Sequence, residues 1–254
     1  MIFDSHAHYD DEAFAQDREE LLASLPANGI GRVVNVGSNI KSSEQCVRLA
    51  SEYDFIYASV GVHPNDALEL EGRGLGEIQA LVAQKKVVAV GEIGLDYHWP
   101  EPPHDVQKKW FRAQLELAKK LDMPVIVHSR EAAQDTYDIM REVGGDKINA
   151  VIHCFSYGPE MAEKFLELGY FIGLGGVLTY KNGRKQKEVM QMLPMDRVLL
   201  ETDCPYLSPE GHRGERNSSL YLPIVLKEMA QLKGCSVDEI EAATYRNAEG
   251  FYRI

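Results

Sequence analysis

Eight short apolar runs, each followed by a polar amphipathic stretch, set the tightest limit on what this chain can fold into. The runs are Ile2–Ser5, Arg32–Gly37, Ile56–Val62, Val87–Ile93, Pro124–His128, Ala150–His153, Phe171–Gly175 and Val198–Thr202. Helix-like segments lie between them at Asp17–Leu25, Ser42–Glu52, Leu75–Gln84, Asp105–Leu121, Ala132–Glu142, Pro159–Leu168 and Lys185–Met192. Parallel strands need crossover connections, and a strand–helix unit repeated this often without a Pro/Gly/Ser-rich linker reads as a (β/α)8 barrel. A doubly wound open sheet is the competing architecture, but no G-x-G-x-x-G follows the first run. Leu220–Leu232 and Val237–Ala248 add two C-terminal helices. The expectation is a single-domain α/β TIM barrel over residues 1–254, closed or somewhat distorted.

In such barrels the chemistry sits at the carboxyl ends of the strands. Six of the eight runs end there in a histidine or carboxylate: His6 and His8, His63, Glu92 and Asp96, His128, His153, and Glu201 with Asp203. His6-Ala7-His8 puts two imidazoles on one side of an extended strand, because side chains alternate faces. That is half of a metal site, or else two surface histidines near a terminus. Each other residue also has a bland reading: a hydrogen-bonded structural histidine for His63, His128 or His153, a turn carboxylate for Glu92, a turn cap for Asp203. Their convergence on one mouth favours metal binding. Imidazole donors suit Zn, Mn, Ni or Fe, whereas an all-oxygen set would have suggested Mg or Ca.

Composition removes several alternatives. No apolar run approaches the roughly 20 residues of a membrane helix, and no basic segment followed by an apolar stretch opens the chain. Cys46, Cys154, Cys204 and Cys235 lack C-x-x-C spacing, as expected of a reduced cytoplasmic protein. A net charge of -12 argues against broad electrostatic attraction to nucleic acid. It does not exclude a phosphate-containing substrate, since bound divalent cations dominate their local field.

Taken together, Asp4-Ser5-His6-Ala7-His8, Gly61-Val62-His63-Pro64, Gly91-Glu92-Ile93-Gly94-Leu95-Asp96-Tyr97, Val127-His128-Ser129-Arg130, His153-Cys154-Phe155-Ser156 and Glu201-Thr202-Asp203-Cys204-Pro205-Tyr206-Leu207 resemble the TatD family of metal-dependent hydrolases, within the amidohydrolase-like barrels. His212-Arg213-Gly214-Glu215-Arg216-Asn217 resembles a further loop of that family. The resemblance implies two divalent metal ions bridged by Glu92. His6, His8 and Asp203 would join Glu92 at one, and His128 and His153 at the other. Similarity to Mg-supported nucleases adds Mg to the candidate ions.

The implied activity is deoxyribonuclease-type hydrolysis of phosphodiester bonds, with DNA as substrate and water activated by the metal pair. Asp203 and Glu92 are the catalytic candidates: Asp203 as proton acceptor, Glu92 as the holder of both metals. His63 and Arg130 are substrate-binding candidates that donate to phosphate, Arg130 having a loop salt bridge as its alternative. Glu201 is either an orienter of ligands or a structural residue inside the barrel. Trp99, Tyr97 and Tyr206 are available to stack on bases, or to pack. Two rival functions use the same residues: an amidohydrolase or lactonase acting on small molecules, and a non-catalytic metal-dependent binding protein. No membrane association and no obligate protein partner is implied.

Overall fold

A computed structural model describes residues 1–254. Eight strands, β1 (Ile2–Ala7), β2 (Ile30–Val36), β3 (Ile56–Val60), β4 (Val87–Asp96), β5 (Val125–Arg130), β6 (Ala150–Ile152), β7 (Phe171–Leu174) and β8 (Val198–Leu200), form one parallel sheet in chain order. The circle closes through a parallel bridge between Ala7 and Cys204. Helices α1 (Arg18–Ser24), α2 (Ile40–Glu52), α3 (Gly76–Val82), α4 (His104–Lys120), α5 (Ala133–Val143), α6 (Pro159–Glu167) and α7 (Arg184–Met192) follow the first seven strands, and α8 (Leu222–Lys233) and α9 (Val237–Tyr252) complete the chain. This is the expected eight-stranded barrel. The strands read as continuous Val/Ile-rich runs because they are covered on both faces.

The two ends of the barrel differ. Phe3, Val34, Ile126, Val151 and Leu199, from five strands, form one apolar cluster with Phe251 and Tyr252 of α9. The Tyr252 hydroxyl donates to the Ser5 carbonyl at 2.7 Å. This helix therefore closes the amino-terminal end of the barrel, opposite the histidines.

Strand lengths depart from the sequence reading where the site begins. β4 runs to Asp96, three residues past the expected end, while β6 and β8 stop after Ile152 and Leu200. The cause is local backbone geometry. Cys154 and Asp203 have φ of 44° and 59°, values that end an extended strand. Gly94 sustains β4: a Cβ there would lie 1.9 Å from the His128 carbonyl, so only glycine lets β4 and β5 run side by side at this point.

The β1/β8 seam is held by a carboxylate whose role was not read from the sequence. Asp4, fully buried, accepts from the Thr202 backbone N–H at 3.0 Å, the Thr202 hydroxyl at 2.7 Å and the Ser219 hydroxyl at 2.6 Å. Removing one partner of such a network strands the others away from water. We therefore expect Asp4→Ala to lower unfolding stability by about 3 kcal/mol, read from the shift of the urea midpoint at constant slope.

Candidate metal centre

Hydrogen bonds between the two ends of the chain assemble the mouth. The Asp203 N–H donates to the His6 carbonyl at 2.9 Å, and the His8 N–H to the Cys204 carbonyl at 2.8 Å. Asn217, from the loop before α8, donates its side-chain amide to the carbonyls of Thr202 at 3.0 Å and Tyr206 at 2.7 Å, bracing the segment that carries Asp203. On the other side, the Glu92 N–H donates to the Gly37 carbonyl at 2.9 Å, and the Ser59 hydroxyl to the Gly91 carbonyl at 2.7 Å. Gly61 leaves room for this packing, since a Cβ on it would meet the Gly91 backbone at 2.8 Å.

Glu92 stands at the centre, its two oxygens facing different groups. Oε2 lies 3.5 Å from His6 Nε2 and 3.6 Å from His8 Nε2. Oε1 lies 2.6 Å from His153 Nε2 and 2.8 Å from His128 Nδ1, with His63 Nε2 at 3.6 Å. Asp203 Oδ1 completes the first group, 3.6 Å from His6 Nε2 and 3.4 Å from His8 Nε2. His6 and His8, with Asp203 beside them, thus face one oxygen of Glu92, and His128 and His153 face the other.

The spacing of the first group suits a cation, whereas Glu92 Oε1 stands at direct hydrogen-bond distance, 2.6 and 2.8 Å, from the two imidazoles of the second. Ligand atoms held tetrahedrally about 2.0–2.1 Å from a zinc-like ion stand about 3.3 Å from one another. His6 Nε2 and His8 Nε2 are 3.0 Å apart, and His128 Nδ1 and His153 Nε2 are 3.3 Å apart. Two neutral ring nitrogens face each other this closely only when a proton or a cation serves both. Where a second ring nitrogen has a partner, it fixes the tautomer for ligation. His8 Nδ1 donates to the Val36 carbonyl at 2.7 Å, and His128 Nε2 lies 3.1 Å from Asp96 Oδ2.

Charges in the site follow from the same packing. Burial, helped by the neighbouring His153 charge, drives the His6 imidazole down to about 4, and burial with His128 drives His63 down to about 3. Burial also opposes charge on His8 and His128. It is outweighed by the Asp203 hydrogen bond, which lifts His8 to about 10, and by those to Asp96 and Glu92, which lift His128 to about 9. Burial would raise Glu92 and Asp203, yet the surrounding histidines hold both below the usual carboxylate range. Without metal, imidazolium protons carry the compensating charge that bound cations would supply.

His63 sits as near Glu92 as His6 and His8 do, but its chemistry differs. Its Nδ1 accepts the Asn65 backbone N–H at 3.1 Å, so the neutral ring carries its proton on Nε2 and presents a donor rather than a lone pair. Arg130 ends β5 exposed and outside ion-pair distance of any carboxylate, its charge still helping to hold Asp96 low. Tyr97, in contrast, is occupied: its ring stacks 3.7 Å from His104 and its hydroxyl donates to Asp135 at 2.6 Å. Trp99 and Tyr206 remain half exposed on the loops after β4 and β8. Asp96 is the site residue that sequence reasoning did not assign. Its signal was present: Glu92, Gly94 and Asp96 occupy alternate positions of one strand, with glycine where the neighbouring backbone approaches.

A closed barrel with imidazoles and carboxylates gathered at the strand ends defines a class, the metal-dependent barrel hydrolases. Residues 3–253 match the family described as TatD related DNase, and the chain belongs to that family. It is 41% identical over its whole length to the full length of YabD, an uncharacterized metal-dependent hydrolase of Bacillus subtilis. It is 34% identical to a 3'-5' ssDNA/RNA exonuclease TatD of Citrobacter rodentium, covering all of this chain and 98% of that one. Among solved structures, the TatD homolog YjjV of Escherichia coli superposes with a TM-score of 0.93 at 32% identity, over 100% of this chain and 98% of that one. No helix here is long and apolar enough to cross a membrane.

Proposed function

We propose that the chain hydrolyses phosphodiester bonds of DNA at strand ends or in single strands, using two divalent cations. The observation that carries this reading is the pair of ligand groups on the two oxygens of Glu92, flanked by an unpaired guanidinium and an imidazole N–H. His6, His8, Asp203 and Glu92 would hold one ion, and His128, His153 and Glu92 the other. The imidazole-rich set favours Zn, Mn, Ni or Fe over Mg. Cations in this position polarise a phosphoryl oxygen and lower the pKa of water.

The chain's own groups do the rest. Arg130 offers two parallel N–H donors to a phosphate, and His63 offers one from Nε2. Asp203 is a carboxylate at the solvent side of its group, 17% exposed against 1% for His6, and accepts the proton released by the attacking water. Trp99 and Tyr206 supply exposed aromatic faces for unstacked bases, which supports a single-stranded substrate, as does the name of the Citrobacter relative. The whole of residues 1–254 acts as one hydrolase domain in this reading, since the site draws on both ends of the chain.

Metal-loaded protein assayed on labelled single-stranded DNA, duplex DNA, RNA and bis-p-nitrophenyl phosphate is expected to cleave single-stranded DNA fastest. His128→Ala is expected to reduce this rate at least a hundredfold. Turnover of lactones or amides without cleavage of any phosphodiester would overturn the proposal.

A further inference from the structure

Two of the imidazoles lack what the other two metal-site histidines have. His8 Nδ1 and His128 Nε2 each reach an oxygen behind the site, whereas His6 Nδ1 and His153 Nδ1 are buried with no hydrogen-bond partner. An imidazole that ligates through Nε2 carries a proton on Nδ1, and a buried N–H without an acceptor is costly. The two rings stack with centroids 4.0 Å apart and planes 12° from parallel. Both Nε2 atoms face Glu92, so both Nδ1 atoms turn away from it in company.

Glu201 lies on that far side. Its Oε1 is 4.0 Å from His153 Nδ1, too far for a direct bond, and accepts the Cys154 N–H at 2.5 Å. One nitrogen from each of His6 and His153 and one Glu201 oxygen lie within 4.8 Å of one another. Three atoms at such spacing leave a point about 2.8 Å from each, the length of an ordinary hydrogen bond. A water oxygen placed there would accept from two N–H groups and donate to the carboxylate, within the two to four polar partners that hold a buried water. The fold makes room for this carboxylate: a Cβ on Gly173 would stand 2.3 Å from Glu201 Oε2.

We propose that Glu201 is a positioning residue that, through one buried water, holds the Nδ1 protons of His6 and His153 and so orients a ligand of each metal from behind. The proposal rests on the metal reading above, in which His6 and His153 belong to different ions. Glu201 touches neither ion nor substrate, and acts on both through their ligands. Glu92 aside, it is the group whose loss weakens the two ions together.

The test is Mn2+ titration of the full-length protein after chelator treatment, followed by calorimetry, with far-UV CD and melting temperature recorded alongside. Glu201→Gln keeps the shape and the Cys154 bond but replaces the carboxyl group with an amide that cannot ionise, and should weaken both binding events by about tenfold or more with little change in melting temperature. Gly173→Ala, which displaces the carboxylate without altering it chemically, should give the same double loss. In 15N spectra of metal-loaded wild type, His6 and His153 should show protonated, hydrogen-bonded Nδ1 atoms, shifted in Glu201→Gln. Two Mn2+ bound by Glu201→Gln with wild-type affinities would overturn the role of Glu201 alone. Wild-type protein that takes up no metal would overturn the ligand assignment beneath it.

Discussion

Glu92→Ala is expected to lower kcat/KM on single-stranded DNA by more than about a thousandfold, the equivalent of ~4 kcal/mol of transition-state stabilisation. No other side chain reaches both ligand groups: its Oε2 faces His6 and His8, and its Oε1 faces His128 and His153. In the two-ion reading, removing it takes an oxygen from each ion and leaves His6, His8, His128 and His153 without their shared partner. Metal content should fall together with activity. The fold should survive, because the backbone around residue 92 is held by the Gly37 carbonyl and Ser59 rather than by the carboxylate. The checks are metal content by mass spectrometry, steady-state kinetics and far-UV CD. A variant retaining both ions and near-normal turnover would remove Glu92 from the site.

Asp203→Ala is expected to act through kcat, with a loss of about 10²–10⁴-fold. Its carboxylate faces His6 and His8 only, so the effect on metal should be confined to one of the two binding events. Arg130 and His63 would still engage the phosphate, leaving KM within a few-fold of wild type. That split between kcat and KM separates proton transfer from substrate binding. Asp203→Asn, which keeps an oxygen donor but is a poor base, should retain more metal than the alanine variant while remaining slow. Full activity of purified Asp203→Ala would refute the assignment.

Much of this is legible in the amino-acid sequence. The strands could be read because buried parallel strands are continuous Val/Ile runs between amphipathic segments, and the ligands because barrel chemistry gathers where those runs end. What the sequence hid was mostly contact between distant segments. Nothing local to Asp4 announces that Thr202 and Ser219 are its partners. The donor state of His63 depends on the Asn65 backbone N–H, a feature of folded geometry rather than residue type. Asp96 was visible as part of a motif, but its pairing with His128 requires the register that sets Gly94 beside that histidine. The early ends of β6 and β8 reflect left-handed conformations at Cys154 and Asp203, non-glycine residues for which no sequence rule predicts them.

The seam between β1 and the segment after β8 also bears on how the molecule is made. Its hydrogen bonds join residues 196 positions apart, such as Thr202 and His6. During synthesis His6 and His8 leave the ribosome first, while Asp203 and the Asn217 brace follow only after most of the chain has emerged. Contacts of such sequence separation form late and slowly. A nascent or truncated chain therefore carries an incomplete donor set, and hydrolytic competence arrives as one of the last events of biosynthesis.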